Sequence, residues 1–433
     1  MRNALLITAG KSISKVSQML NRGNGSTWPG HIALKGNLNF VKDILSNSQT
    51  KVIIVAGTNG KTTTSALIKN GLAMSGKSVI QNSSGANLLN GVASTILLHT
   101  NSQGKLQQDY AIFEVDENAL PQVLNQITPD YLVLLNLFRD QLDRYGEINI
   151  ITQKWHEMIK NLSDKTALIL NADDPQIAYL GITAQGPKTV YFNLDDKKNS
   201  SKLLSAADSV SCPKCGDNLT FETNTFSHLG KWHCPACGLR QPKTSLSSYT
   251  FYPISGKYNK YNTIAAALIL RDIGLTEKQI QDAFEKFIPA FGRQEIIAYQ
   301  GKKIQLFLSK NPTSFNQSFE TIQELGGKSL LVVLNDRIPD GRDISWIWDI
   351  ELKGITNFEH IFVSGDRMYD MALRMKYELG ITQYEKKVIS SENLTDAIDS
   401  AVNALTENET LYILPTYSGM LETRKILTGR KIL

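Results

Sequence analysis

Residues 52–67 read VIIVAGTNGKTTTSAL. Val52 to Val55 are an unbroken run of β-branched residues, the pattern of a strand buried on both faces. The run enters the turn Gly57-Thr58-Asn59-Gly60-Lys61-Thr62-Thr63, and a helix is predicted after it. Strand, glycine turn and helix N-terminus together form a phosphate cradle. Glycine lets backbone N–H groups turn toward phosphate oxygens, and the helix adds its own unpaired donors. The strict Walker A pattern asks for glycine where Val55 stands, so the generic motif is not met. The chemistry survives: Lys61 is placed to reach β- and γ-phosphates, and the Thr62 hydroxyl to bind Mg²⁺. A plain surface turn is the competing reading, and the strand before and helix after it count against that.

The same grammar extends outward. Strands are predicted at Val52–Ala56, Ala111–Val115, Tyr131–Leu135 and Ala167–Leu170, each ending in a polar cluster. This is the order of an open parallel α/β sheet, which gathers ligands at its strand C-termini. Residues 200–248 interrupt the rhythm as an insertion. A helix closed by Gly274 follows, then Thr276 and Gln279 at capping-box spacing. A second α/β run has predicted strands at Ile304–Leu308, Ser329–Leu334, His360–Val363 and Leu411–Leu414. The expected division is an ATP-binding domain over 1–297, with its insertion at about 202–247, and a Rossmann-like α/β domain over 298–433.

Length and composition set bounds. The 433 residues are 42% hydrophobic and 20% charged, which excludes a disordered chain and calls for more than one core. A net charge of +5 favours acidic partners, but no basic run marks a nucleic-acid patch. The apolar stretch Ala4–Ala9 is too short to span a bilayer or to serve as a signal peptide. A packing helix is expected there, with a membrane-resting helix as the alternative. A cytoplasmic protein is expected.

All four cysteines lie between Cys212 and Cys237. Cys212-x-x-Cys215 and Cys234-x-x-Cys237 have the spacing of a zinc ribbon, each pair on a glycine-bearing knuckle. Four thiolates make a closed, structural Zn²⁺ site. Redox dithiols or disulfides are the rivals. A scaffold role suits the insert's modest charge better than nucleic-acid binding.

The turn GTNGKTTT resembles the ATP loop of the Mur ligases and folylpolyglutamate synthases, which join a carboxylate to an amine through an acyl phosphate. Further stretches are similar in the same order: IFEVDE with Glu114, NLFRDQLD from Asn136 to Asp143, NADDP at 171–175, GKYNKYNTIAAA at 256–267, FGRQE at 291–295 and SKNPTS at 309–314. The resemblance implies ATP held by Gly57 to Thr63, Asn262 near the base, Arg293 facing the γ-phosphate, and Mg²⁺ held by Thr62 and Glu114. Gln141 stands where the family has histidine, which puts a second metal site in question. About 50 residues precede the loop, fewer than a UDP-binding domain needs. Taken alone, Glu114, Asp116, Asp173, Asp174 and Arg293 could each be a solvated charge, a helix cap or a surface ion pair.

A Mur-like core with a four-cysteine ribbon, together with LNDRIPDGRDISWIWD (334–349) and LPTYSGMLETRKIL (414–427), resembles the MurT family. In Gram-positive bacteria that family supplies the synthetase subunit of lipid II isoglutaminyl synthase. The implied reaction amidates the α-carboxylate of D-glutamate in the lipid II stem peptide. The cysteines are all spoken for by the metal, so ammonia must come from a partner glutaminase, GatD in this family. The resemblance makes Asp349 the residue that orients the partner's histidine, with Trp346 and Trp348 as interface anchors. Asp336, Asp340 and Asp343 compete for that role. Lys61 and Arg293 are expected to stabilise phosphoryl transfer. Two other functions fit less of the sequence: an amino-acid ligase of the folylpolyglutamate synthase type, and a nucleotide-gated ribbon protein that binds nucleic acid. The lipid-linked substrate would bring the protein to the inner face of the membrane.

Overall fold

The computed structural model of the chain describes residues 2–19, 27–82, 85–139, 148–195 and 207–429. Asp140, Gln141 and Asp143 of the NLFRDQLD segment, and residues 202–206 of the insertion, lie outside the described residues.

Six strands form the first sheet: β1 (Lys51–Ala56), β2 (Val79–Gln81), β3 (Tyr110–Val115), β4 (Tyr131–Leu134), β5 (Ala167–Asn171) and β6 (Lys188–Phe192). Their order is β2-β3-β1-β4-β5-β6, parallel throughout. Successive residues of β1 feed opposite cores, which is why the strand is apolar at every position after Lys51. Val52, Ile54 and Ala56 face one cluster with Leu97 and Trp155. Ile53 and Val55 face another with Leu67, Ile68 and Ile264.

The insertion carries a hairpin of β7 (Thr220–Phe226) and β8 (Leu229–His233). A second six-stranded sheet comprises β9 (Arg293–Tyr299), β10 (Lys302–Phe307), β11 (Ser329–Val333), β12 (His360–Ser364), β13 (Val388–Ser390) and β14 (Thr410–Pro415). Its order is β13-β12-β11-β14-β10-β9, and only the β9–β10 pair is antiparallel. The eight expected strands are all present. The expected boundary at 297 falls inside β9, so membership of the second sheet starts at Arg293. Gln300 and Gly301, at φ 48° and 74°, make the two-residue turn that folds β9 back onto β10.

The helix Arg2–Met19 packs on the first sheet's outer layer. Ile7 is buried, Gly10 lies against Leu97, and Lys11 Nζ donates to Thr100 O at 2.6 Å. Among the described residues no helix is long and apolar enough to cross a membrane.

Candidate active site

The turn after β1 is built as the sequence predicts, with Gly57 at φ 133° and Gly60 at φ 93°. A Cβ on Gly60 would sit 2.1 Å from Asn262 Oδ1 on a backbone at φ 93°, so a side chain there would have to displace Asn262 and bear backbone strain. The turn is fastened to the segment after β4. Thr58 N donates to Asn136 O at 2.9 Å, and Asn59 N to Asn136 Oδ1 at 2.9 Å. Phe138 N donates to the Thr58 hydroxyl at 3.0 Å. With the Thr58 and Asn59 N–H groups occupied, the first-turn donors of the helix Lys61–Met74 are left to meet an anion. The Asn59 Nδ2 amide is buried with no hydrogen-bond partner among the described residues.

Lys61 points back into the turn. Its ammonium donates to Gly57 O, to Thr58 O at 3.1 Å and to Glu117 Oε2 at 3.2 Å. Thr62 Oγ1 donates to Glu114 Oε2 at 2.7 Å, and Gln81 Nε2 holds Glu114 Oε1 at 2.9 Å. Burial works against the Glu117 anion, but Lys61 and then Lys310 outweigh it and hold the carboxyl below its ordinary value. Burial, and the Glu117 charge after it, push the neighbouring Asp116 carboxyl up.

The second sheet closes the site from the other side. A cavity of about 370 Å³ is lined by Lys61, Glu114 and Asn262 from the first unit and by Arg293, Lys310 and Tyr417 from the second. Arg293 is turned inward by a local kink: Gly292 and Gln294 flank it at φ 71° and 61°, and the β9–β10 register shifts beside it. Gln294 is held there by Nε2 bonds to Ser255 O at 2.7 Å and Tyr258 OH at 3.0 Å. All the expected ATP-loop residues from Thr58 to Thr63, with Asn262, Glu114 and Arg293, thus meet in one cavity. Sequence reading missed Gln81, Glu117, Lys310 and Tyr417. Glu117, Lys310 and Tyr417 stand inside the quoted stretches IFEVDE, SKNPTS and LPTYSGMLETRKIL but were not singled out; Gln81 carried no signal.

The two aspartates of NADDP do more than cap. Asp174 caps the helix Pro175–Thr183 and accepts from Leu137 N at 2.8 Å, with His228 Nε2 at 3.4 Å. Asp173 accepts from Tyr261 OH, Gln241 Nε2 and, at 3.0 Å, Leu194 N. Burial raises its pKa to about 6. This pair is the socket in which the insertion sits.

In the insertion the four cysteine sulfurs lie within 4.8 Å of one another. The Cys212–Cys237 and Cys215–Cys234 separations are both 3.6 Å. Four thiolates at 2.3 Å from one tetrahedral ion stand roughly 3.8 Å apart, so the set fits such an ion. Trp232 Nε1 donates to Ala172 O at 2.9 Å, which ties the hairpin to the first sheet.

Asp349 lies elsewhere, half-exposed at the end of the turn Ser345–Trp348, with Arg139 Nη2 4.0 Å from its Oδ2. Trp348 is exposed and meets Tyr377 edge-on at 5.6 Å; Trp346 is half-buried against Phe315. The competing aspartates are committed. Asp336 pairs with Arg367 at 3.0 Å, buried Asp340 accepts from Ser418 N at 2.7 Å, and Asp343 caps Ser345 N at 2.8 Å.

Comparison with known proteins agrees with this arrangement. Residues 55–270 match the Mur ligase middle domain, and residues 308–420 the MurT ligase C-terminal domain. The chain is 34% identical over 457 residues to the lipid II isoglutaminyl synthase (glutamine-hydrolyzing) subunit MurT of Streptococcus pneumoniae, covering 100% of this chain and 98% of that one. It is 33% identical over 395 residues to the subunit of the same name from Staphylococcus aureus, covering 87% and 88%. Its fold is similar to that of a pseudomurein peptide ligase type C from Methanothermus fervidus, with a TM-score of 0.63 at 23% identity over 88% of this chain and 79% of that one. A Mur-type nucleotide cavity joined to a MurT-type C-terminal unit, in relatives this similar over nearly their whole length, places the chain in the MurT family of Mur-type ligases.

Proposed function

We propose that the chain is the ATP-dependent synthetase subunit of a glutamine-hydrolysing complex. It would amidate the α-carboxylate of D-glutamate in the lipid II stem peptide. The observation that carries this reading is the cavity itself: Lys61, Thr62, Glu114 and Arg293 converge between two α/β units in a chain of the MurT family. The cavity fits a nucleotide triphosphate by three features. Gly60 leaves room that a Cβ would fill, Asn59 offers an unspent amide, and Lys61 supplies a buried cation.

ATP would lie with its phosphates over Gly57 to Thr63 and with Asn262 flanking the loop. Thr62 and Glu114, 2.7 Å apart, are the pair that would hold Mg²⁺, which would supply neutralisation of phosphate charge. The substrate carboxylate oxygen attacks the γ-phosphorus as the β–γ bridging bond breaks, and ADP leaves. Lys61 and Arg293 take up the charge spread over the phosphoryl oxygens. Ammonia then attacks the acyl carbon of the acyl phosphate. Phosphate departs, the nitrogen loses a proton, and the amide remains.

The ammonia source would be a GatD-like glutaminase. Asp343 and Asp349 are both exposed, but Asp343 accepts from Ser345 N whereas Asp349 has Arg139 4.0 Å away, so Asp349 is the one that could orient a partner's histidine. Next to it Trp348 and the helix Met368–Leu379 present Tyr369, Leu373 and Tyr377 outward at four-residue spacing. That aromatic face suits a partner subunit. The four cysteines would hold Zn²⁺ as a structural ribbon.

The test is ADP release by the purified pair of subunits with lipid-linked muropeptide, glutamine, ATP and Mg²⁺. Turnover that depends on glutamine and yields an amide supports the reading. Incorporation of glutamate instead would make the chain an amino-acid ligase. Asp349→Asn should abolish glutaminase activity in the complex while ATP binding stays intact; full glutaminase activity would remove that assignment.

A further inference from the structure

The charge of the chain is unevenly placed. Residues 1–42 contain Arg2, Lys11, Lys15, Arg22, Lys35 and Lys42 and no acidic residue. Removing those six from the chain's 46 Lys and Arg leaves 40 against 41 acidic side chains, so this short segment carries the whole of the +5 net charge. Arg2, Lys15, Lys35 and Lys42 are exposed, and none has an ion-pair partner among the described residues.

The same segment leaves apolar side chains in water. Leu5 is 72% exposed, Val16 53%, Trp28 64% and Leu38 78%. In the helix Arg2–Met19, Leu5, Ala9, Ser12 and Val16 fall within one turn-aligned stripe at 100° per residue, all exposed, with Arg2 and Lys15 on its flanks. The opposite face, with Ile7, Gly10 and Ser14, is the one packed on the protein. The following helix, Trp28–Gly36, runs back along the first: Gly36 lies against Leu6, and Asn37 Nδ2 donates to Asn3 Oδ1 at 2.8 Å. Leu38 therefore emerges at the Leu5 end of the pair. The first sheet has its core on both faces, and among the described residues nothing covers this stripe.

We propose that this helical layer is a docking face for an anionic lipid bilayer. Unpaired cations flanking an exposed aliphatic stripe with an exposed tryptophan match a surface that is negative at the headgroups and apolar just beneath. Nucleic acid is the less suitable occupant, because the exposed side chains here are aliphatic and offer one aromatic platform rather than several. The inference goes beyond the proposed activity and does not depend on it.

The experiment is co-sedimentation of the full chain with vesicles of phosphatidylcholine alone, or with about one-third phosphatidylglycerol. Tryptophan emission is followed in parallel. Each basic residue near an anionic surface is worth roughly a five-fold change in partitioning. Binding to the anionic vesicles should exceed binding to the neutral ones by at least about tenfold and weaken in high salt. Arg2→Glu with Lys15→Glu should abolish the preference. Trp28→Phe should remove a blue shift on vesicle addition that the parent shows. Unchanged far-UV circular dichroism and nucleotide binding would show that the variants fold. Equal binding to both vesicles, no binding to either, or salt-sensitive binding to RNA without vesicle binding would each overturn the proposal. Retention of the vesicle preference in the double variant would also overturn it.

Discussion

The Lys61 ammonium stands 3.2 Å from Glu117 Oε2, and both side chains are at least nine-tenths buried. The carboxylate occupies the place that a phosphate oxygen would take as the lysine's counter-charge. If Lys61 takes a phosphate oxygen of ATP as proposed, nucleotide binding separates this pair. Glu117→Gln should therefore destabilise the ligand-free chain by about 3 kcal/mol, at the low end for breaking a buried pair because the cavity admits water. A saturating nucleotide should stabilise this variant more than the parent, since no anion competes for Lys61. Urea unfolding with and without ADP checks both halves. An identical nucleotide increment in the two proteins would mean that Lys61 does not change partners. The Glu117 carboxyl is held below its ordinary value, so its contribution is present above the usual glutamate range and is lost as pH falls through the folded value.

Gly60→Ala tests the cradle. A methyl group there meets Asn262 Oδ1 at 2.1 Å, on a backbone at φ 93° that side chains avoid. The expected result is loss of measurable ATP binding by calorimetry, with a stability cost of about 1–3 kcal/mol. The double variant Gly60→Ala, Asn262→Ala relieves the contact but not the φ strain, so it should recover part of the stability and little of the binding.

Much of this site was legible because its parts are local. A β-branched run into a glycine turn is a short-range pattern, and so is the paired Cys-x-x-Cys spacing. The three-residue strands β2 and β13 were not legible, because three residues carry no period to read. Nor was the start of the second sheet at Arg293: the Gln300-Gly301 turn lacks the usual Asn-Gly signature, so the β9–β10 hairpin went unseen. Lys310 and Tyr417 belong to the cavity only because two units close over it, a contact that no local pattern encodes. The aspartates of NADDP show the opposite case. Their helix-capping role was readable at Asp174, but their grip on Leu137, Leu194, Gln241 and Tyr261 depends on tertiary contacts with distant segments, the insertion among them.

Asp173 should give the fold a pH signature. Its pKa is raised to about 6 by burial, so the folded chain binds its proton more tightly than the unfolded one does. The penalty of burying the anion is present above about pH 6 and is relieved as pH falls toward the ordinary aspartate range. Relative to Asp173→Asn, the parent should gain stability between about pH 7 and pH 4, by the order of 2–3 kcal/mol. Thermal unfolding of both proteins across that range reads the difference. Parallel stability curves would show that Asp173 does not carry the shift.

Metal removal should reach the nucleotide through the hairpin. Phe226 and Leu229, the facing ends of β7 and β8, line the same cavity as Lys61. Phe226 stacks on Phe138 with ring centroids 6.0 Å apart, and Phe138 N is the group that holds Thr58. The cysteine cluster fixes the far end of that hairpin, since Cys234 follows β8 directly. If the four cysteines hold one Zn²⁺ per chain as proposed, Cys215→Ser, at the exposed cysteine, should lower the bound metal below that and weaken ATP binding by roughly tenfold, about 1.4 kcal/mol. Strong chelation of the parent should do the same, and added Zn²⁺ should reverse the chelation but not the substitution. Elemental analysis alongside calorimetric ATP titration measures both quantities on one sample. If metal is lost and ATP affinity holds, the ribbon supports something other than the phosphate turn. Its grip on Asp173, Asp174 and Ala172 would then serve the sheet alone.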